Sequence, residues 1–412
     1  MIKRLREDAE RIIAYSIDQV LPDKTVERAL QGFVMPEGKL VLVAVGKAAW
    51  RMAEKATQLV KPDCGIVITK YGHVQGEIEN VECYEASHPI TDHNGISATE
   101  RAIELVSGLT EKDTVLFLLS GGASALFEKP LVSLEELQSI NNQLLRSGAD
   151  ISEMNAVRKR LSLVKGGRFA EICAPAHVFS VLLSDVIGNR ADVIGSGPCY
   201  PDSSTAEDVR YIIDKYNIKV SEETIPFFQN ETPKSLYNVE TYIGGSVVEL
   251  CQASETICKE LGYETRILTT ELQIEACKAG TELAELVVNE MKHLNKPLAL
   301  IEGGETVVHV KGNGLGGRNQ ELALASSRKL AGLNTCIFSV GSDGTDGPTD
   351  AAGGYVDGDT CEEFWNKGID PDSYLADNDS YNALKQVDGL IITGPTGTNV
   401  NDLQVALLLP EA

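Results

Sequence analysis

The chain has 412 residues, 43% of them apolar and 24% charged, with 37 glycines. That exceeds one ordinary hydrophobic core and excludes a disordered, fibrous or membrane-embedded protein. Its formal charge of −23 opposes nucleic-acid phosphate and anionic membrane surfaces, which attract proteins through clustered Lys and Arg. Nine scattered cysteines without a CxxC pair point to a reducing, cytoplasmic compartment, as does an amphipathic N-terminus with no signal-like segment.

Apolar positions Leu5, Ile12, Ile13 and Ile17 predict a helix over 3–20, and LPDKTVERAL predicts a turn followed by more helix. KLVLVAVGKAAW holds an uninterrupted apolar run, Leu40 to Val45, ahead of Gly46 and Lys47. A strand with no polar face is buried on both sides, which favours a parallel sheet covered by helices. The same grammar recurs at CGIVITKYG (64–72), TVLFLLSGGASALF (114–127) and VFSVLLSDVIGNR (178–190). The first half thus reads as a Rossmann-like, doubly wound α/β domain, in which ligands collect at strand C-termini. The polar stretch FQNETPKS sets a boundary near 235, giving domains 1–235 and 236–412. The second, smaller α/β domain is expected to carry a strand over 263–270 and a helix over 271–294. A hairpin about Gly303 and Gly304 would make its sheet mixed, and strands follow in NTCIFSV, LIITG and VALLL.

The loops after these strands hold the candidate chemistry. In SGGASALF, Gly121 and Gly122 let backbone amides converge beside the Ser120 hydroxyl, which suits an anion or merely a tight turn. Lys47 stands at the edge of a buried strand, as a point charge toward an oxyanion or as an ordinary helix-start lysine. NAVRKRLSLVKGGRFA carries five cations and no acid. Arg158, Ser162 and Lys165 share a helical face, either a funnel for an anionic substrate or a surface paired with acids elsewhere. SDVIGNRADVIGSGP sets Asp185 and Arg190 near each other, where a carboxylate can orient a hydroxyl and a guanidinium can take a carboxylate. KGNGLGGRNQELAL satisfies GxGxxG at Gly312, Gly314 and Gly317. No acid follows at the spacing that a dinucleotide ribose requires, so the loop fits a phosphate or nucleotide contact better than NAD. In GSDGTDGPTDAAG the acids Asp343, Asp346 and Asp350 need solvent, cations or arginines, because an unpaired buried carboxylate is too costly. A Mg²⁺ bridging phosphate oxygens or a solvated turn satisfies them equally. The six histidines form no zinc-like cluster.

AVGKAAW, ASHPITDHNG, SGGASALFEKP, MNAVRKRLSLVKGGR, SDVIGNRADVIGSGP, GNGLGGRNQELAL, SVGSDGTDGPTDAAGG and GPTGTNVNDL, in this order over residues 41 to 403, together resemble the glycerate 2-kinase family. The resemblance implies ATP-dependent, Mg²⁺-assisted phosphorylation of D-glycerate at its 2-hydroxyl, in a cleft between the two domains. It maps family residues onto Lys47 and Arg318, which are assigned to countering phosphoryl charge. Asp185 is assigned to the substrate hydroxyl. Ser120, Gly121, Gly122 and Arg190 are assigned to the substrate anion. Gly312, Gly314, Gly316, Gly317, Asn319, Thr396 and Asn399 are the candidate nucleotide contacts, and Asp343 and Asp346 the candidate metal ligands. D-Glycerate and ATP are the expected partners, with no nucleic acid and no membrane, and a homo-oligomer is compatible with the chain.

Three readings compete with this one. An NAD(P)-dependent hydroxypyruvate reductase lacks the ribose acid and a catalytic histidine context. Phosphorylation at the 3-hydroxyl differs only by rotation of the substrate. A non-catalytic binder of small acids accounts for one anion pocket but not for polar loops in both halves.

Overall fold

The structure is a computed structural model, and it describes residues 2–411. It divides into two compact units, one of Pro22–Ser184 with Asn189–Gly244, the other of the residues through Leu21, Asp185–Gly188 and the residues from Gly245 onward. No helix among the described residues is long and apolar enough to cross a membrane.

The first unit holds six parallel strands: β1 (Leu40–Val45), β2 (Cys64–Lys70), β3 (Val81–Ala86), β4 (Thr114–Leu119), β5 (His177–Leu183) and β6 (Val239–Gly244). Their order is β3-β2-β1-β4-β5-β6, the doubly wound order of a Rossmann sheet. All six residues of β1 and of β4 are buried, as their unbroken apolar runs require. The helix Ala49–Leu59 lays Ala49, Met52, Ala53 and Ala56 on Leu40, Leu42 and Leu116. Phe117, Phe127 and Phe169 stack together with ring centroids 5.0 to 5.9 Å apart. Because the strand order reverses between β1 and β4, the loops after these two strands diverge there, which is where open α/β sheets bind ligands.

The second unit is built on a mixed sheet of β7 (Glu264–Leu272), β8 (Leu298–Gly304), β9 (Thr335–Gly341), β10 (Gly353–Asp357), β11 (Leu390–Ile391) and β12 (Asp402–Leu408), in the order β11-β10-β9-β12-β8-β7. Only β7 and β8 run parallel, and β12 enters antiparallel between β8 and β9. One face packs on the helices Ile2–Gln19 and Val247–Glu260, the other on Ala276–Met291 and Arg318–Leu330.

Two expectations change here. The division near 235 moves to Gly244/Gly245, because Val239–Gly244 pairs with β5, and the N-terminal helix joins the mixed-sheet unit through Leu5, Ile12 and Ile13. Amphipathic spacing marks a face for burial but does not say which sheet buries it. The hairpin about Gly303 and Gly304 does not form, since after β8 the chain bridges Val307 in parallel to Glu275. Gly304 permits this departure at φ +153°, where a Cβ would lie 2.3 Å from the Leu272 carbonyl oxygen. The sheet is mixed because of β12 instead.

Glu302 of β8 sits opposite Gln404 of β12, whose buried amide atoms meet no protein partner among the described residues. Burial, reinforced by Glu282, pushes the Glu302 carboxyl up to about 7. A carboxyl with a raised folded pKa contributes its full stability below the unfolded value near ~4.3 and loses it as pH rises through the folded one. Glu302→Gln should therefore match the parent in urea denaturation at pH 4 and exceed it by about 1–3 kcal/mol at pH 8. Equal stability of the two proteins at pH 8 contradicts a raised Glu302 pKa.

Candidate functional site

In the parallel-sheet unit the loops after β1 and β4 are locked together. The Lys47 amide donates to the Gly121 carbonyl at 2.9 Å. Gly46 takes φ +119° because a Cβ there would stand 2.4 Å from the Ser120 carbonyl oxygen. This contact holds Lys47 at the strand end with its side chain exposed. Gly122, at φ +89°, lets His88 approach, since a Cβ would lie 3.0 Å from the imidazole. Burial, then the charges of Lys47 and Lys70, lower the His88 pKa, so a neutral imidazole stands near the lysine. His88, which has no histidine cluster around it to mark it in the sequence, is placed beside Gly122 and Lys47 by the fold.

Ser120 does not offer its hydroxyl to a substrate. It is 2% exposed, its Oγ accepts from the Ala48 amide at 3.1 Å and donates to the Val45 carbonyl at 3.3 Å, so it works as a clasp between the loops. Arg190 is likewise engaged, with Nε and Nη2 on the two Asp192 oxygens at 3.2 and 2.7 Å and Nη1 on Ser152 at 3.3 Å. Its assignment to the substrate carboxylate is not supported.

The basic run is not a funnel. Its helix ends at Arg160, which breaks the expected face of Arg158, Ser162 and Lys165. Lys159 and Arg160 are buried on Asp202, Lys165 is buried on Glu128, and Arg168 donates to the Lys159, Arg160 and Ser162 carbonyls. Of the five cations, Lys159, Arg160 and Lys165 are thus paired with acids inside this unit, while Arg158, like Arg168, donates to a carbonyl, that of Ser124.

In the mixed-sheet unit a cavity of about 870 Å³ opens at the N-terminus of the helix Arg318–Leu330. Its lining holds four carboxylates (Glu305, Glu321, Asp343 and Asp346), one arginine, Arg318, and no lysine. Arg318 is clamped: Nε and Nη2 donate to Asp402 at 2.6 and 3.0 Å, and Nη1 donates to Glu305 at 2.7 Å. Of five guanidinium N–H donors, two remain for a ligand. Burial alone would lower the Arg318 pKa, but the Asp402 hydrogen bonds and charge outweigh it and the group stays cationic. Burial pushes the Asp402 carboxyl up to about 6 against the pull of Arg318, which leaves it ionised at neutral pH. Asn401 donates from Nδ2 to the Asp185 carbonyl at 3.2 Å and to Glu305 at 3.3 Å. Glu305, Asn401 and Asp402 were all missed from the sequence. Asn401 and Asp402 sit in the NVNDL block, but nothing local told which residue they would hold.

Asp346 is a helix cap and not a metal ligand. It is 3% exposed, Oδ1 accepts from the Asn319 amide and Nδ2, and Oδ2 accepts from the Gln320 amide and Nε2. Four donors fill the capacity of two carboxylate oxygens. Burial raises the Asp346 pKa and these bonds pull it back. The same contacts remove Asn319 from the nucleotide candidates, because its Oδ1 also takes the Ser339 hydroxyl. The amides of Lys311 and Gly312 donate to Asn378 Oδ1, those of Asn313 and Gly314 to Asp377, and that of Leu315 to Asp379. The GxGxxG loop therefore spends its early amides on the Asp377–Asp379 turn, which removes Gly312 and Gly314 as phosphate donors. Gly314, with its amide already spent, still lines the cavity, together with Gly316, Gly317, Asp343 and Asp346. Asp343 Oδ1 accepts from the Thr345 amide and hydroxyl at 2.9 and 3.1 Å. Thr396 fastens the last loop to this one, donating from Oγ1 to the Ser342 carbonyl at 2.6 Å and from its amide to the Asp343 carbonyl at 3.2 Å. Asn399 is exposed and accepts from the Asn401 amide at 3.4 Å.

Comparison with known proteins identifies the family. Residues 8–229 match the model of a domain of unknown function, DUF4147, and residues 298–402 match that of the MOFRL family. The D-glycerate 2-kinase of Thermotoga maritima is 53% identical over 98% of this chain and 99% of its own length. The glycerate 2-kinase of Pyrococcus horikoshii is 40% identical over 90% of this chain and 88% of its own. A crystal structure of glycerate kinase from Thermotoga maritima, 52% identical, superposes with a TM-score of 0.95 over 99% of this chain and 100% of that one. With both halves matched and full-length relatives at this identity, the chain belongs to the glycerate 2-kinase family.

Proposed function

We propose that this protein transfers the γ-phosphoryl group of ATP to the 2-hydroxyl of D-glycerate, giving 2-phosphoglycerate and ADP, with Mg²⁺ as counter-ion. The observation that carries the reading is the clamped Arg318 in a cavity whose other charged lining side chains are all acids. A guanidinium held on a buried carboxylate is preorganised, so it meets developing phosphoryl charge without reorienting. Four carboxylates against one arginine repel a bare triphosphate, so the donor must enter with a cation.

The residues fit Mg²⁺. Among the described residues no group of three or more His, Cys, Asp or Glu is placed to hold a metal, and Mg²⁺ usually binds one or two carboxylates together with phosphate oxygens and water. Asp343, with Oδ1 engaged by Thr345, and Glu305 would hold it; its chemistry there is charge neutralisation of the phosphate oxygens. Lys47 serves as a second cation toward the transferred group, and Asp185 orients or deprotonates the 2-hydroxyl, its backbone fixed by Asn401. Gly316 and Gly317 give the phosphates close access to the backbone. Thr396 and Asn399 shape the loop beside Asp343. A cytoplasmic location suits nine cysteines that are all unpaired.

Proton-coupled phosphorus NMR of the product from ATP, Mg²⁺ and D-glycerate tests the regiochemistry. A phosphate on the 2-hydroxyl neighbours one carbon-bound proton and gives a doublet, whereas one on the 3-hydroxyl neighbours two and gives a triplet. A doublet is expected. A triplet overturns the 2-hydroxyl, and loss of nicotinamide absorbance with hydroxypyruvate in place of ADP release overturns the kinase reading.

A further inference from the structure

The cavity that holds Arg318 has an apolar side that phosphate chemistry does not explain. Val307 and Val310 line it and are 51% and 77% exposed, with Pro348 lining the same space. The strap that carries them is not loose. The Glu305 amide donates to the Leu272 carbonyl at 2.8 Å, the Val307 amide to the Ile274 carbonyl at 3.1 Å, and the Val307 carbonyl accepts from the Ala276 amide at 2.9 Å. Further along, Asn378 donates to the His309 carbonyl at 3.3 Å and accepts from the Lys311 amide at 2.7 Å. The backbone is thus tied at Glu305, Val307, His309 and Lys311, while two β-branched side chains between and beside these ties stay in water.

Apolar side chains held rigidly on the wall of a concave site mark a surface meant for a ligand. Valine has few rotamers to lose, so covering it costs little entropy. Of the reactants, D-glycerate has a carboxylate and two hydroxyls on three carbons and nothing flat or apolar to lay there. The triphosphate and its cation belong with Arg318 and the acids. The heterocyclic base is the one part with an extended apolar face.

We infer that the Val307–Val310 strap is the base platform of the nucleotide site, taking the face of a purine while the phosphates run toward Arg318. This rests on the kinase reading above. The glycine loop that leads from the strap to Arg318 is contiguous in sequence, so one stretch, Val307 to Arg318, serves both ends of the nucleotide. Asn378 is spent on the strap itself, so the platform recognises ring area more than base edges.

Val310→Asn and Val307→Thr test the inference, since both positions are exposed and tolerate a polar side chain without disturbing a core. Each should raise the KM for MgATP roughly tenfold, the worth of about one buried valine, and weaken ADP binding by calorimetry in parallel. The KM for D-glycerate should stay within about twofold, which also reports an intact fold. Unchanged ATP and ADP parameters overturn the platform, as does a rise confined to D-glycerate. Arg318→Ala separates the two levels. If it abolishes turnover while the valine variants match the parent, the kinase site stands and the platform falls; if it retains turnover, the site itself is misplaced.

Discussion

Arg318→Ala should lower kcat by about 10² to 10³, the range seen when one preorganised donor to a developing charge is removed. The clamp explains why the loss should be large. Asp402 is buried and grips two edges of the guanidinium, and Glu305 takes a third donor, so the remaining donors are aimed before substrate arrives. Arg318→Lys keeps the charge but gives up the planar fork, and should recover only part of the activity. Asp402→Ala should also lose turnover, though it leaves the guanidinium in place, because the arginine then lacks its positioning partner. A coupled ADP-release assay with D-glycerate reads all three. If Arg318→Ala turns over within threefold of the parent, the arginine has no catalytic part.

Asp202→Ala should destabilise the parallel-sheet unit by about 3–5 kcal/mol, the cost of leaving a buried charge unpaired. Asp202 Oδ1 accepts from Lys159 at 3.0 Å, and Oδ2 accepts from Arg160 at 3.2 Å, Thr232 at 2.7 Å and Ser204 at 2.8 Å. Lys159 and Arg160 are themselves inside the protein, and of the two only Arg160 keeps another carboxylate, Glu231 at 3.0 Å. Burial on its own would raise the Asp202 pKa, but Lys159 and the hydroxyls of Thr232 and Ser204 bring it below the ordinary carboxylate value. A depressed folded pKa gives stability that is present above the unfolded value near ~3.9 and fades as pH falls through the folded one. The gap between parent and Asp202→Ala in urea denaturation should therefore be widest near neutral pH and shrink in acid. A gap that does not change with pH would show that Asp202 contributes packing and not charge.

Arg318 was recognised as a cation at a helix start and belongs to the cavity, and Asp343 and the Gly316–Gly317 pair line it with Arg318. Arg160 and Lys165 were recognised as a charge reversal, yet their purpose was invisible. Their partners Asp202 and Glu128 lie 42 and 37 residues away in sequence, and nothing local marks either as the partner of a cation. Asp346 and the early glycines of GNGLGG mislead for the same reason. A carboxylate in a polar loop looks like a metal ligand until the Asn319 and Gln320 amides, 27 and 26 residues back, are seen to occupy it. Glycine amides look ready for phosphate until Asp377 and Asn378 take them.

By itself the sequence determined which segments leave water and what family they make. Uninterrupted apolar runs such as Leu40–Val45 and Thr114–Leu119 must be buried on both faces, and the ordered blocks from AVGKAAW to GPTGTNVNDL point to one family. Only the tertiary structure decided which polar groups are already satisfied and which are left for a ligand. Burial is written in local periodicity, whereas a hydrogen-bond partner such as Asp402 for Arg318 is brought in by sheet pairing across 84 residues of chain.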